Sequence, residues 1–140
     1  MTAKEYLKQY EDYDRRAQRY KAEYLNELDK IDAIGSTLSG EPGMPHGTGI
    51  SRKTEDKAIR LADAALAYQS AALLAIEKRQ EIFEFIADIK GIEGELLYER
   101  YINLRKWEEI CVLCHMSWNG IHKAHRRALT TVQAMLDKRV

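Results

Sequence analysis

The feature that most constrains this chain is a seam of tyrosines. Tyr6, Tyr10, Tyr13, Ala17, Tyr20, Tyr24, Leu28 and Ile31 recur at spacings of three and four residues. That rhythm puts all eight on one stripe of an α-helix, in the pattern of a coiled-coil seam. Charges such as Asp14-Arg15-Arg16 occupy the positions between them, as a solvated face requires. Five tyrosines on one stripe would also suit base stacking, but the heptad spacing accounts for them without it. A second series, Ile59, Ala62, Leu66, Gln69, Leu73, Ile76, Gln80 and Phe83, repeats the same spacing. It predicts the facing helix, with Gln69 and Gln80 as polar seam positions that fix register, and Thr54-Glu55-Asp56 marks its start.

Glycine and proline punctuate the chain sparingly. Apart from Gly120, every glycine lies in the stretch 35–49 or at Gly91 and Gly94, so long segments are free of helix breakers. A glycine-rich loop at about 35–53 therefore joins the two helices. It lacks the Gly-Lys-Ser/Thr ending of a phosphate-binding loop. The expected architecture is all-α: a long antiparallel helical hairpin over residues 1–90, serving assembly, followed by a three-helix helix-turn-helix over 91–140. Helices of this length leave seam surface exposed, and a homo-oligomer, a dimer first, is the natural way to cover it. No apolar run approaches the length of a membrane span, and the opening residues show no signal-peptide pattern. A cytoplasmic protein without a membrane partner is expected.

Acidic and basic residues number 22 each, so net charge argues for no partner and its distribution matters more. From His115 to Val140 the bases Lys123, Arg126, Arg127, Lys138 and Arg139 face the single acid Asp137. A basic segment on a neutral chain suits a polyanion. The last third breaks at Gly91-Ile92-Glu93-Gly94 and then offers three short helices. The first is Glu95–Tyr101, with Leu96, Leu97, Arg100 and Tyr101 on one face. A turn at Asn103–Lys106 leads to the second, Trp107–Cys114, with Trp107, Ile110, Cys111 and Leu113 inward. His115-Met116 forms a tight turn, and Ser117 caps a third helix reaching about Lys138. Ile121, Ala124, Ala128, Leu129 and Val132 face inward there. Trp118, Asn119, His122, Lys123, His125, Arg126 and Arg127 face out. Such a helix fits the major groove, where Asn, His, Lys and Arg hydrogen-bond base edges and Lys and Arg neutralise phosphates. The helix N-terminus at Ser117 favours a nearby phosphate.

Leu96-Leu97-Tyr98-Glu99-Arg100-Tyr101-Ile102, Trp107-Glu108-Glu109-Ile110, and Ser117, Ile121 and Arg127-Ala128-Leu129 together resemble the sigma-factor region that reads the −35 promoter element. With Met1–Leu7, Leu38-Ser39-Gly40 and Gly43-Met44-Pro45, the chain as a whole resembles phage late-gene transcription activators of the RinA/ArpU type. The resemblance implies a sigma-like helix-turn-helix that binds double-stranded DNA and activates phage or prophage late genes in a bacterial cytoplasm. RNA polymerase is then a second partner, for which the acids Glu93, Glu95, Glu99, Glu108 and Glu109 are a candidate contact. It also implies that Trp118, Asn119, His122, Lys123 and Arg126 face DNA; with Ser117 at the helix N-terminus and the outward Arg127 they make the expected DNA-binding set. Trp107, Ile110, Leu113, Ile121 and Leu129 hold the fold. Two positions depart from the pattern: Cys114 stands where the turn commonly has glycine, and Gly120 interrupts the recognition helix. A small terminase subunit that marks viral DNA, and a helical protein adaptor, are the alternatives.

Cys111-Val112-Leu113-Cys114-His115 matches the haem-attachment signature, but attachment needs export. Cys111, Cys114, His122 and His125 offer zinc-ligand chemistry with too short a gap between Cys114 and His122. No oxyanion turn accompanies either thiol. Neither an enzyme nor a bound cofactor is expected.

Overall fold

The computed structural model describes residues 1–38 and 52–139. Among these the fold is all-α: a long antiparallel helical hairpin followed by a three-helix helix-turn-helix. Helix α1 spans Ala3–Leu38 and α2 spans Arg52–Ile86. Three shorter helices follow: α3 (Gly91–Leu97), α4 (Trp107–Cys114) and α5 (Trp118–Asp137). The loop expected at about 35–53 lies mostly outside the described residues; α1 continues through Gly35 to Leu38, and Arg52 and Lys53 already belong to α2.

The chain divides into two compact units, Met1–Tyr13 with Leu74–Val140, and Asp14–Leu73. The sequence places a boundary near residue 90; packing draws it elsewhere, because the start of α1 and the end of α2 share a core with the C-terminal helices. Leu7, Ile82, Leu96, Leu97, Ile110, Ile121 and Val132 are fully enclosed in that core. A capping box opens α1: the Thr2 backbone N–H donates to Glu5 Oε2 (2.9 Å), and the Glu5 N–H donates to Thr2 Oγ1 (3.2 Å). The Ala3 N–H donates to Gln133 Oε1 (2.8 Å), tying this end of α1 to α5.

The tyrosine seam of α1 lies where its spacing puts it, with all eight positions buried or half-buried. Its pairings with α2 run antiparallel. In the first unit Tyr6 meets Phe85 (ring centroids 4.9 Å apart) and Tyr13 meets the Lys78 ammonium (5.8 Å); in the second, Tyr24 meets Tyr68 (6.1 Å). The face of α2 that meets α1 is not the expected one. Ile59, Ala62, Leu66, Gln69, Leu73, Ile76, Gln80 and Phe83 are all exposed. The seam instead uses Leu61, Ala64, Tyr68, Ala71, Ala75, Lys78, Ile82 and Phe85, two residues further on and about 200° round the helix. The reason is volume. Between the large residues that meet the tyrosines, Phe85, Lys78 and Tyr68, the observed stripe carries Ala64, Ala71 and Ala75, which let the two helices approach, whereas the expected stripe has large residues at most of its positions.

In the last third, Gly91–Gly94 is the first turn of α3 and not a break. Gly91 takes φ +79°, which admits the sharp entry from the end of α2. From Tyr98 to Ile102 the helix widens into a π-helical turn, closed by Asn103 N–H donating to the Tyr98 carbonyl (3.0 Å), and both Tyr101 and Ile102 end up buried. Helix α4 has the boundaries its sequence predicts, but Leu113 is 48% exposed and Cys114 is the half-buried residue beside the core. The turn ends in a Schellman motif: His115 N–H donates to the Val112 carbonyl and Met116 N–H to the Cys111 carbonyl. His115 is left-handed (φ 53°), so the position that asks for glycine is His115 and not Cys114. A His115→Gly substitution is expected to stabilise the fold by about 1 kcal/mol, read as a rise in the urea midpoint with an unchanged slope.

Candidate nucleic-acid interface

Ser117, with φ −71° and ψ 160°, caps α5 by accepting a hydrogen bond from the Gly120 N–H (3.1 Å). This explains the glycine inside the helix. A Cβ on Gly120 would sit 3.0 Å from Ser117 Oγ and 3.4 Å from Met116 Cε, so its absence gives room to the cap and the turn. Behind the cap, Ile121, Ala124, Ala128 and Val132 are wholly buried and lock one face of α5 onto the core.

The opposite face opens into a shallow groove of about 430 Å³ lined by Trp118, Asn119, His122, Lys123 and Arg126. These are five of the seven residues expected to meet DNA. The spacing i, i+1, i+4, i+5 and i+8 along one helix brings them together, and α4 and its turn hold that helix in place. Ser117 is the cap itself, one residue before Trp118. Arg127 is exposed but leans aside, its Nε donating to Glu93 Oε1 on α3 (3.3 Å). Among the described residues, Lys123 and Arg126 have no carboxylate partner.

Two expected outward residues sit differently. His125 is only 9% exposed, and its Nε2 lies 2.8 Å from the Tyr101 hydroxyl, which the π-helical turn carries inward. Burial pushes its pKa down to about 4, with Lys4, His122 and Arg100 adding in the same direction, and burial pushes Tyr101 up to about 12. Both are therefore neutral at physiological pH, and the pair is a structural hydrogen bond. His122 is half-buried between two indoles, with centroids 4.9 Å from Trp107 and 4.5 Å from Trp118. Its Nε2 is enclosed without a hydrogen-bond partner among the described residues. Trp107 is thus a support that sequence reasoning gave only to the core: it steadies His122 from below while the Arg100 guanidinium stacks on it at 5.1 Å. The four-residue spacing of Trp118 and His122 signalled half of this clamp; nothing local signalled Trp107.

The zinc-type set does not converge. Among the described residues no three His, Cys, Asp or Glu side chains form a metal-holding group, and His125 is committed to Tyr101. The Cys114 thiol is pushed up by burial and by the carboxylates of Glu95 and Glu99, which disfavours the thiolate that metal binding or nucleophilic attack needs. The acids Glu99 and Glu109 both pair with Arg105 (2.6 and 3.5 Å), and Glu93 pairs with Arg127. The chain matches no protein-family model, no curated protein and no solved structure.

Proposed function

We propose that the protein is a sequence-specific, duplex-DNA-binding transcriptional regulator of the bacterial cytoplasm that reads DNA with the first turns of α5. The observation that carries this reading is the groove on α5: Asn119 for base edges, Lys123 and Arg126, which have no carboxylate partner among the described residues, for phosphates, and Trp118 beside them. Helix α4 and the Schellman turn supply the brace that a recognition helix requires. Activation of phage or prophage late genes is the specific role that the resemblance supports.

The test is fluorescence anisotropy with fragments of the neighbouring genome at two salt concentrations. One fragment should bind tightly, and Lys123→Ala/Arg126→Ala should weaken it at least about tenfold. Each lost phosphate contact should also flatten the slope of log affinity against log salt by about one. Absence of binding to every fragment at low salt overturns the proposal. A second reading, a protein adaptor, is favoured by Val112 (73% exposed) and Leu113 on the outer face of α4. Partner binding that ignores salt and tolerates the double substitution would select it.

A further inference from the structure

The outer face of α2 presents the heptad that α1 leaves uncovered. Leu66 (62%), Leu73 (60%) and Ile76 (62%) are more exposed than large apolar residues ordinarily are, with Ile59 and Phe83 continuing the stripe at either end. By length and composition alone α2 contains a stretch apolar enough to cross a membrane, contrary to the expectation drawn from the sequence. A helix apolar on both faces calls for a second partner.

We infer that this face pairs with the same face of a second copy, as a parallel two-stranded coiled coil of α2 helices. Three features select that occupant. The first is area: from Ile59 to Phe83 the stripe runs about 36 Å, and roughly half the circumference of a helix along that length gives about 600 Å² per copy. Doubled, this exceeds the roughly 1,000 Å² that a specific interface needs. The second is the polar seam residue. In a parallel pair Gln69 meets Gln69 of the other copy, so each amide finds an amide. Antiparallel pairing about the middle of the stripe would set Gln69 against Leu73 and leave it unsatisfied. The third is charge. Arg79 and Glu84 flank the seam at positions five residues apart, the offset at which a parallel pair brings opposite charges from the two helices together. Ala58, Ala65 and Ala72 line the Arg79 flank and let the helices approach.

Sedimentation velocity of the full chain, with no nucleic acid present, tests the inference independently of DNA binding. The wild type is expected to be a dimer at micromolar concentration. Leu66→Glu/Leu73→Glu, which places four carboxylates in the seam, should be monomeric with unchanged helical circular dichroism. Ile59→Cys in a Cys111→Ala/Cys114→Ala background should form an intermolecular disulfide under mild oxidation, because only parallel pairing brings the two copies of position 59 together; antiparallel pairing about the stripe's middle sets them about 36 Å apart. A wild-type monomer overturns the inference, whether or not it floats with vesicles of anionic and zwitterionic lipid. So does a dimer that survives the double substitution. A dimer without the Ile59→Cys cross-link overturns the parallel pairing. If the double variant loses helicity, the Ile59→Cys cross-link alone decides.

Discussion

Gly94→Ala is expected to destabilise the protein by about 3 kcal/mol or more, a large part of the stability of a domain this size. A Cβ at this position would lie 1.9 Å from the Ile89 carbonyl oxygen and 2.9 Å from its carbonyl carbon. Those are backbone atoms of the segment that links α2 to α3, and that segment is itself held by the Ile89 N–H donating to the Ile86 carbonyl (3.0 Å). Neither side can yield alone. Any retreat of α3 drags Leu96 and Leu97, both fully enclosed, out of the core. Gly91→Ala makes a sharp comparison, because open space surrounds its missing Cβ and only the positive φ penalises it. That substitution should cost about 1 kcal/mol. Urea denaturation of the two variants measures both, and equal losses would contradict the close approach at Gly94.

Acid should loosen the fold through His125. The folded protein holds this imidazole neutral down to about pH 4, whereas the unfolded chain takes up the proton near 6.5. Between those values the unfolded state binds more protons, so stability falls with falling pH. The contribution of His125 is complete above about pH 6.5 and is lost progressively as pH drops toward 4. Between pH 7 and pH 5 this amounts to about 2 kcal/mol, at about 1.4 kcal/mol per pH unit. The cause is enclosure: the ring packs against Tyr101 (centroids 5.9 Å) and Trp107 (4.6 Å), and protonation would place a charge there that burial disfavours and that Lys4, His122 and Arg100 also oppose. Denaturant midpoints at pH 7 and pH 5 give the comparison. His125→Gln should be less stable at pH 7 yet lose less on acidification; an unchanged acid response would assign the effect to another group.

The sequence was most legible where a single local rule decided the structure. Trp107–Cys114 has the boundaries its apolar run suggests, Ser117 caps the next helix, and the α1 tyrosines are inward, because capping and helical period act over a few residues. It was less legible where two answers shared one rhythm. Both faces of α2 repeat at three and four, and only the fit of the whole face against α1, which no local rhythm encodes, chooses between Ala71 and Leu73 for the seam. His125 reads as an outward polar residue within α5, yet its partner Tyr101 is 24 residues away and reaches it through a π-helical turn that no local pattern announces. Likewise, five of the seven candidate DNA contacts share one groove because one helix carries them, while Arg127 is turned by Glu93 on another helix.

The chain has two tryptophans, and both rings stand within 5 Å, centroid to centroid, of the same imidazole, that of His122. All of the protein's indole emission therefore arises beside the candidate reading surface, and none from the long hairpin. Any molecule that settles on that face meets an intrinsic optical probe, so occupancy can be followed on the unmodified chain, separately from association along α2.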